Sequence, residues 1–215
     1  MQKEPLVERQ PPGGVTFVAA TALECKALRR EMPVARIVQT GIALEGARDG
    51  FGTIVVSCGL AGGLRPDLPT GTVLIPREVR RPGGGLLRCD AEMVEALAER
   101  ARELGVAPLF DPLLTAQTIV HGNARAQWAA KGYAGVDMET GLIDALRVCA
   151  VRVILDTPVR ELSADWRNPT TAMLKPWNWP QAWWLAREAP RAAALAARIA
   201  AGAQGIGAEL RITRQ

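Results

Sequence analysis

The chain has 215 residues and a mass of 23.0 kDa, and 48% of its residues are apolar, which excludes a disordered chain or a disulfide-stapled mini-protein and fits one domain with a sizeable core. Lys and Arg number 26 against 22 Asp and Glu, a net charge of +4 spread along the chain; without a helix-turn-helix or an aromatic RNA-binding signature, no nucleic-acid partner is expected. The longest apolar run, 50–64, is Gly-rich and closed by Arg65, too short for a membrane-spanning helix.

Residues 1–14 mix both charge signs and end in Pro-Pro-Gly-Gly, without the apolar run of a secretory signal, so a flexible N-terminal segment on a cytoplasmic protein is expected. An apolar run predicts a buried strand at 15–20, followed by a helix at 21–31 with Leu23, Ala27 and Leu28 at helical spacing. The pattern continues with a strand at 35–39, a short helix at 41–49 and a second buried strand at 53–58 that leads into a Gly-rich turn. A strand at 72–75 is ended by Pro76, 81–85 is a Gly-rich surface loop, and 91–104 is an amphipathic helix. A strand at 113–120, helices at 124–131 and 140–146, and a strand at 148–155 complete the core. Strands alternating with helices predict an α/β domain with a central mixed, mostly parallel, twisted sheet flanked by helices, spanning 15–202 and followed by a tail at 203–215.

Cys25, Cys58, Cys89 and Cys149 stand 33, 31 and 60 residues apart, which gives neither a CxxC pair nor a zinc pattern and predicts free thiols packed as small hydrophobes. One histidine, His121, cannot build a multi-histidine metal centre, so no metal is expected and carboxylates come first as candidates.

Three strand-end segments carry candidate chemistry. Cys58-Gly-Leu-Ala-Gly-Gly-Leu64 lets backbone approach a ligand, its N–H groups available to an anion or a sugar oxygen, although glycines also serve tight packing. Val136-Asp-Met-Glu-Thr140 places two acids at a helix start, where they serve either as dipole-facing caps or as a site. Arg152-Val-Ile-Leu-Asp156 runs an apolar strand into an aspartate, in either a functional or a loop-capping role.

In this order the segments resemble the purine nucleoside phosphorylase and nucleosidase superfamily over roughly residues 15–156. The resemblance implies that Met138 and Glu139 hold the ribose, that Asp156 meets purine N7, and that Glu24, in the first strand-to-helix turn, is the water-activating base. It also places Gly59, Leu60, Ala61 and Gly62 against the substrate, with Leu60 where the family often has a serine or comparable polar residue. If phosphate is the nucleophile, Arg65 is the nearest arginine in sequence to bind it. N-ribosidic cleavage builds positive charge on the sugar and negative charge on the purine, which is why an acid at N7 and a carboxylate at the ribose hydroxyls suit it. No organic cofactor is implied beyond phosphate as a co-substrate, and a homo-oligomer is expected from the family.

Trp177, Trp179, Trp183 and Trp184 fall within eight residues of a Trp-rich helical region at 175–202. On a helical wheel Trp183, Trp184, Arg187, Arg191 and Arg198 share one side and Leu185, Ala192, Ala196 and Ile199 the other, while Pro190 weakens a single straight helix. The tryptophans read either as packing over the sheet or a partner subunit, or as an interfacial surface that meets membrane or a lipidic substrate. With the aliphatic Leu60, this segment resembles the hopanoid-associated phosphorylase branch, taken to release adenine from adenosylhopane. The resulting expectation is an enzyme that cleaves the N-glycosidic bond of a 5′-substituted adenosine, by phosphate or water. The alternatives are a methylthioadenosine/S-adenosylhomocysteine-type nucleosidase and a non-catalytic nucleoside-binding member of the superfamily.

Overall fold

The computed structural model describes residues 14–47, 49–167 and 169–206, so the expected N-terminal segment lies outside them up to residue 13 and the expected tail beyond residue 206. In chain order the elements are β1 (Val15–Ala19), α1 (Ala22–Glu31), β2 (Arg36–Gln39), β3 (Ile54–Gly63), β4 (Val73–Leu74), β5 (Glu78–Arg80), β6 (Leu86–Arg88), α2 (Ala91–Glu103), β7 (Leu113–Thr115), α3 (Asn123–Ala129), β8 (Gly135–Asp137), β9 (Arg147–Asp156), α4 (Pro169–Met173) and α5 (Trp179–Ala200). The strands make one sheet in the order β2-β1-β3-β8-β7-β5-β6, with β9 against β3 and β4 against β9. Five of the eight pairings among the described residues are parallel, as the alternation of strands and helices predicts.

The two long strands explain how the site is assembled. β3 runs parallel to β9 from Ile54 to Gly62, while its other edge pairs first with β1, at Ile54–Ser57, and then with β8, at Gly62 and Gly63. β9 is buried along nearly its whole length, and burial on both faces is why it reads as a mostly apolar run, broken inside by Arg152. α1 starts on a capping box in which Glu24 N donates to Thr21 Oγ1 and Thr21 N donates to Glu24 Oε2. α2 is capped by Asp90 and buries Met93, Val94, Leu97, Ala98 and Ala101, one face of a 3.6-residue repeat. α5 turns small side chains inward, with Ala189, Ala192, Ala193, Ala196 and Ala197 buried, and packs across β3 and β9 with α1 and α2 beside it. The packed core reaches past the expected boundary at 202, because Ala203 and Ile206 are buried in it.

Several local expectations are corrected. The Gly-rich segment after Cys58 is no turn: it continues β3 to Gly63, with a register shift between Ala61 and Gly62. The helix expected at 41–49 is reduced to one 3-10 turn, Ile42–Leu44, because Ala43 and Leu44 take positive φ (55° and 58°), which an α-helix cannot include. The helix expected at 140–146 is likewise a single 3-10 turn, Thr140–Leu142, so Asp137 closes β8 and Glu139 follows it without a helix dipole behind them. The strand expected at 113–120 ends at Thr115, and the hairpin β5–β6 frames the loop at 81–85. α5 runs unbroken through Pro190, which sits on its exposed side. The four cysteines are free thiols, and Cys25, Cys58 and Cys149 are buried.

Candidate active site

A cavity of about 240 Å³ opens beside the ends of β3, β8 and β9. Glu24, Leu60, Ala61, Gly62, Met138, Glu139 and Asp156 all line it, so these expected residues meet in one place although they span 132 positions from 24 to 156. Gly59 stands just behind: a Cβ there would lie 2.3 Å from Glu24 Oε1 and 3.2 Å from Arg152 Nη1, so only glycine leaves room for both. Arg65 is not brought to the cavity. Its guanidinium is held by Asp67 at 2.6 Å and Asp111 at 2.9 Å, and this pairing satisfies its charge elsewhere.

Glu24 is fixed by donors from two elements. Thr21 N and Thr21 Oγ1 donate to its Oε2 at 2.8 and 2.7 Å, and Leu60 N donates to its Oε1 at 2.9 Å. The Leu60 N–H is therefore committed to Glu24 instead of a ligand. Glu139 Oε1 accepts from Ala43 N at 3.1 Å, and its Oε2 accepts from Met138 N at 3.2 Å. The positive-φ turn at 42–44 thus serves to deliver one backbone N–H to this carboxylate. Burial and the neighbouring Asp137 push the Glu139 carboxyl up to about 7, with Arg152 and the Ala43 N–H opposing the shift.

Two arginines at the site escaped the sequence reading. Arg152, in β9, is buried; Nε and Nη2 donate to Asp137 at 3.0 and 2.8 Å, and Nη2 also donates to Ser57 Oγ and Thr140 Oγ1. Asp137 in turn accepts from Thr115 Oγ1 at 2.6 Å and from Thr140 N at 3.2 Å, so the first acid of the Asp-Met-Glu motif positions the arginine. Burial works against the Arg152 charge, but Asp137, Glu139 and Glu24 outweigh it and hold the guanidinium more firmly protonated. Its Nη1 donates to no described residue and lies on the Glu24 side of the site. The available signal was residue type: a charged side chain inside an otherwise apolar, buried strand must find buried partners.

Arg125, in α3, is the second. It is 1% exposed, lines the cavity, and donates from Nε to Val120 O at 2.9 Å, from Nη1 to Gly63 O at 2.8 Å and from Nη2 to Asp156 Oδ2. Leu162 N also approaches Asp156 Oδ2, at 3.4 Å, and Oδ1 accepts from no described residue. Among the described residues no cluster of His, Cys, Asp and Glu could hold a metal ion.

The wall beyond Asp156 carries Leu162 and Trp166. Gln181, near the start of α5, ties it down: Trp166 Nε1 and Ser163 N donate to Gln181 Oε1 at 2.8 and 3.1 Å, and Gln181 Nε2 donates to Glu161 O at 3.1 Å. Beside that anchor Trp177, Trp179 and Trp183 are 71%, 60% and 79% exposed and do not pack over the sheet, whereas Trp184 is half-buried with Arg160 4.8 Å above its ring. No helix among the described residues is long and apolar enough to cross a membrane.

No protein-family model matches the chain, and no curated protein matches it in sequence. Solved structures do match in fold. The methylthioadenosine/S-adenosylhomocysteine nucleosidase of Neisseria meningitidis, in complex with methylthio-immucillin-A, is 20% identical at a TM-score of 0.65, over 88% of this chain and 97% of its own. The corresponding nucleosidase of Colwellia psychrerythraea 34H, in complex with adenine, is 16% identical at a TM-score of 0.63, over 91% and 97%. A futalosine hydrolase mutant of Helicobacter pylori is 12% identical at a TM-score of 0.62, over 87% and 96%. The chain therefore has the fold of these nucleosidases along nearly their whole length.

Proposed function

We propose that this protein cleaves the N-glycosidic bond of a 5′-substituted adenosine and releases adenine, with adenosylhopane as its substrate. The observation that carries the reading is the convergence of Glu24, Glu139 and Asp156 on one cavity, with the unused Nη1 of Arg152 on the Glu24 side. In this reading Glu139 accepts from the ribose 2′ and 3′ hydroxyls, Met138 packs on the sugar, and Asp156 marks the base end. As the C1′–N9 bond breaks, charge on the sugar grows towards an oxocarbenium ion, and the ionised Glu139 favours that state. Glu24 takes the proton of an attacking water, and Arg152 orients that water or a phosphate, the role that the sequence assigns to Arg65. Gly59 to Gly62 shape the wall. No metal or organic cofactor takes part.

Adenosylhopane is supported by the tryptophan-rich segment, whose exposed Trp177, Trp179 and Trp183 stand beside the anchor of the cavity wall. In this reading they enter the interfacial layer of a bilayer and bring a cytoplasmic homo-oligomer to a lipid-linked nucleoside. The second reading, a methylthioadenosine/S-adenosylhomocysteine-type nucleosidase, is favoured by the fold neighbours of that name. A third, nucleoside binding without catalysis, is favoured by Leu60 and by the Arg125 contact that occupies Asp156.

One assay separates them: purified protein is incubated with adenosylhopane in detergent and with methylthioadenosine, each with and without phosphate, and free adenine is measured. Adenine from the lipid substrate alone is the expected result, and its phosphate dependence identifies the nucleophile. Adenine from methylthioadenosine alone selects the second reading, and adenine bound but never released selects the third.

A further inference from the structure

The base end of the cavity is an arginine–aspartate pair, not a lone carboxyl. Arg125 Nη2 donates to Asp156 Oδ2, while Asp156 Oδ1 is left without a donor among the described residues. Nη1 and Nη2 each carry two N–H groups and each donates once, so each keeps one N–H that no described residue accepts. Both partners face the same spot: a Cβ added to Gly62, which lines the cavity, would lie 3.1 Å from Asp156 Oδ1 and 3.5 Å from Arg125 Nη2. Gly62 thus leaves a charged donor and a carboxylate acceptor side by side on the cavity wall.

Adenine presents the complementary edge, with N7 as acceptor beside the N6 amino group as donor, whereas a 6-oxopurine presents two acceptors and would set O6 against Asp156 Oδ1. We propose that Arg125 is the residue that holds purine N7 as the base departs, and that Asp156 accepts from the 6-amino group while keeping Arg125 in place. The proposal rests on the nucleoside-cleavage reading above and alters one step of it. When C1′–N9 breaks, its electron pair enters the purine ring, and the guanidinium holds the negative charge at N7 without giving up a proton. Water oxygen forms the new bond to C1′, the water proton goes to Glu24, and the base gains its proton through bulk water on release.

Arg125 is built for a fixed position. Beside Asp156, its Nε is held by Val120 O and faces Glu161 Oε1 at 3.5 Å; Glu161 also accepts from Gly122 N at 2.9 Å and faces His121 Nδ1 at 3.8 Å. The groups that titrate around the guanidinium are therefore Asp156, Glu161 and, through Glu161, His121. None of them has to donate a proton to N7 in this arrangement.

The test compares binding of adenine, 7-deazaadenine and hypoxanthine to the full-length wild-type protein by calorimetry. A charged hydrogen bond at N7 makes adenine about tenfold or more tighter than 7-deazaadenine. With a guanidinium donor that ratio stays level between about pH 6 and 9, because Arg does not titrate there, and the titration of Glu139 cancels because both bases share it. Hypoxanthine binds more weakly than adenine throughout. Arg125→Gln brings the 7-deazaadenine ratio close to one, and Arg125→Lys restores part of it. If the glutamine variant does not fold, the wild-type pH series still decides. A ratio that collapses as pH rises assigns N7 to a protonated Asp156 and overturns the proposal, as does equal binding of adenine and 7-deazaadenine or no adenine binding at all. Adenine release from nucleosides is scored separately: a protein that shows the level ratio but releases no adenine sinks the catalytic reading and leaves the base contact standing.

Discussion

A Cβ on Gly59 would lie 2.3 Å from Glu24 Oε1 and 2.9 Å from Glu24 Cδ, so Gly59→Ala must push the glutamate off Leu60 N. The displaced group is a side-chain tip and not backbone, so the expected outcome is a folded protein whose kcat falls about tenfold or more, read from adenine release beside a thermal melt. Glu139 makes a second prediction. Its carboxyl is pushed up to about 7, so its protonated form dominates below that value and the sugar-binding carboxylate above it. The rate of wild-type adenine release should rise with pH through about 7, and Glu139→Gln should remove that limb together with most of the activity. The sign for stability is opposite. Between the ordinary glutamate value and about 7 the folded state holds a proton that the unfolded chain has lost, so this group's contribution falls as pH rises, and the glutamine variant flattens that slope in denaturant titrations. Glu24, Met138, Glu139 and Asp156 were legible because each lies in a short local motif. Arg152 was not, because the partners that hold it, Asp137, Thr140 and Ser57, lie 15, 12 and 95 residues away in sequence.

At the scale of elements, local signals worked where the local chain decides the outcome. The alternation of apolar runs located β1, α1, β2, α2 and β9 to within about two residues, and the structure adds that α1 begins on the Thr21–Glu24 capping box. They failed where long-range pairing decides. The glycines after Cys58 resemble a turn, yet β9 on one edge and β8 on the other hold them extended, and the tight contacts around Gly59, Gly62 and Gly63 show what the missing side chains make room for. The turn at 42–44 falls where the sequence predicts a helix, because positive φ at Ala43 and Leu44 leaves no mark in composition. Thr21→Ala removes the side-chain cap of α1 and one donor to Glu24 Oε2; it should cost about 1 kcal/mol in chemical denaturation and lower turnover as well, whereas a purely structural cap would change stability alone.

For the molecule as a whole, the sequence carried the fold class and the convergence of its motifs, but not the strand order, because no local pattern states that β3 exchanges β1 for β8 along one edge. The exposed aromatic surface belongs to this scale. Trp177, Trp179 and Trp183 make little core contact, so replacing all three with serine should leave the melting temperature within a few degrees and should abolish co-sedimentation with anionic lipid vesicles. Retained sedimentation would refute bilayer contact through these rings. The tie from Gln181 to Glu161, Ser163 and Trp166 gives that surface a thermodynamic consequence. Gln181 joins α5, which bears Trp179, Trp183 and Trp184, to the wall of the cavity, so under the proposed interfacial role attachment to a surface and occupancy of the cavity would be coupled equilibria. Under that role, whatever factor a bilayer imposes on nucleoside affinity, a bound nucleoside must impose on bilayer affinity, and loading the cavity would set how long the protein stays on the surface.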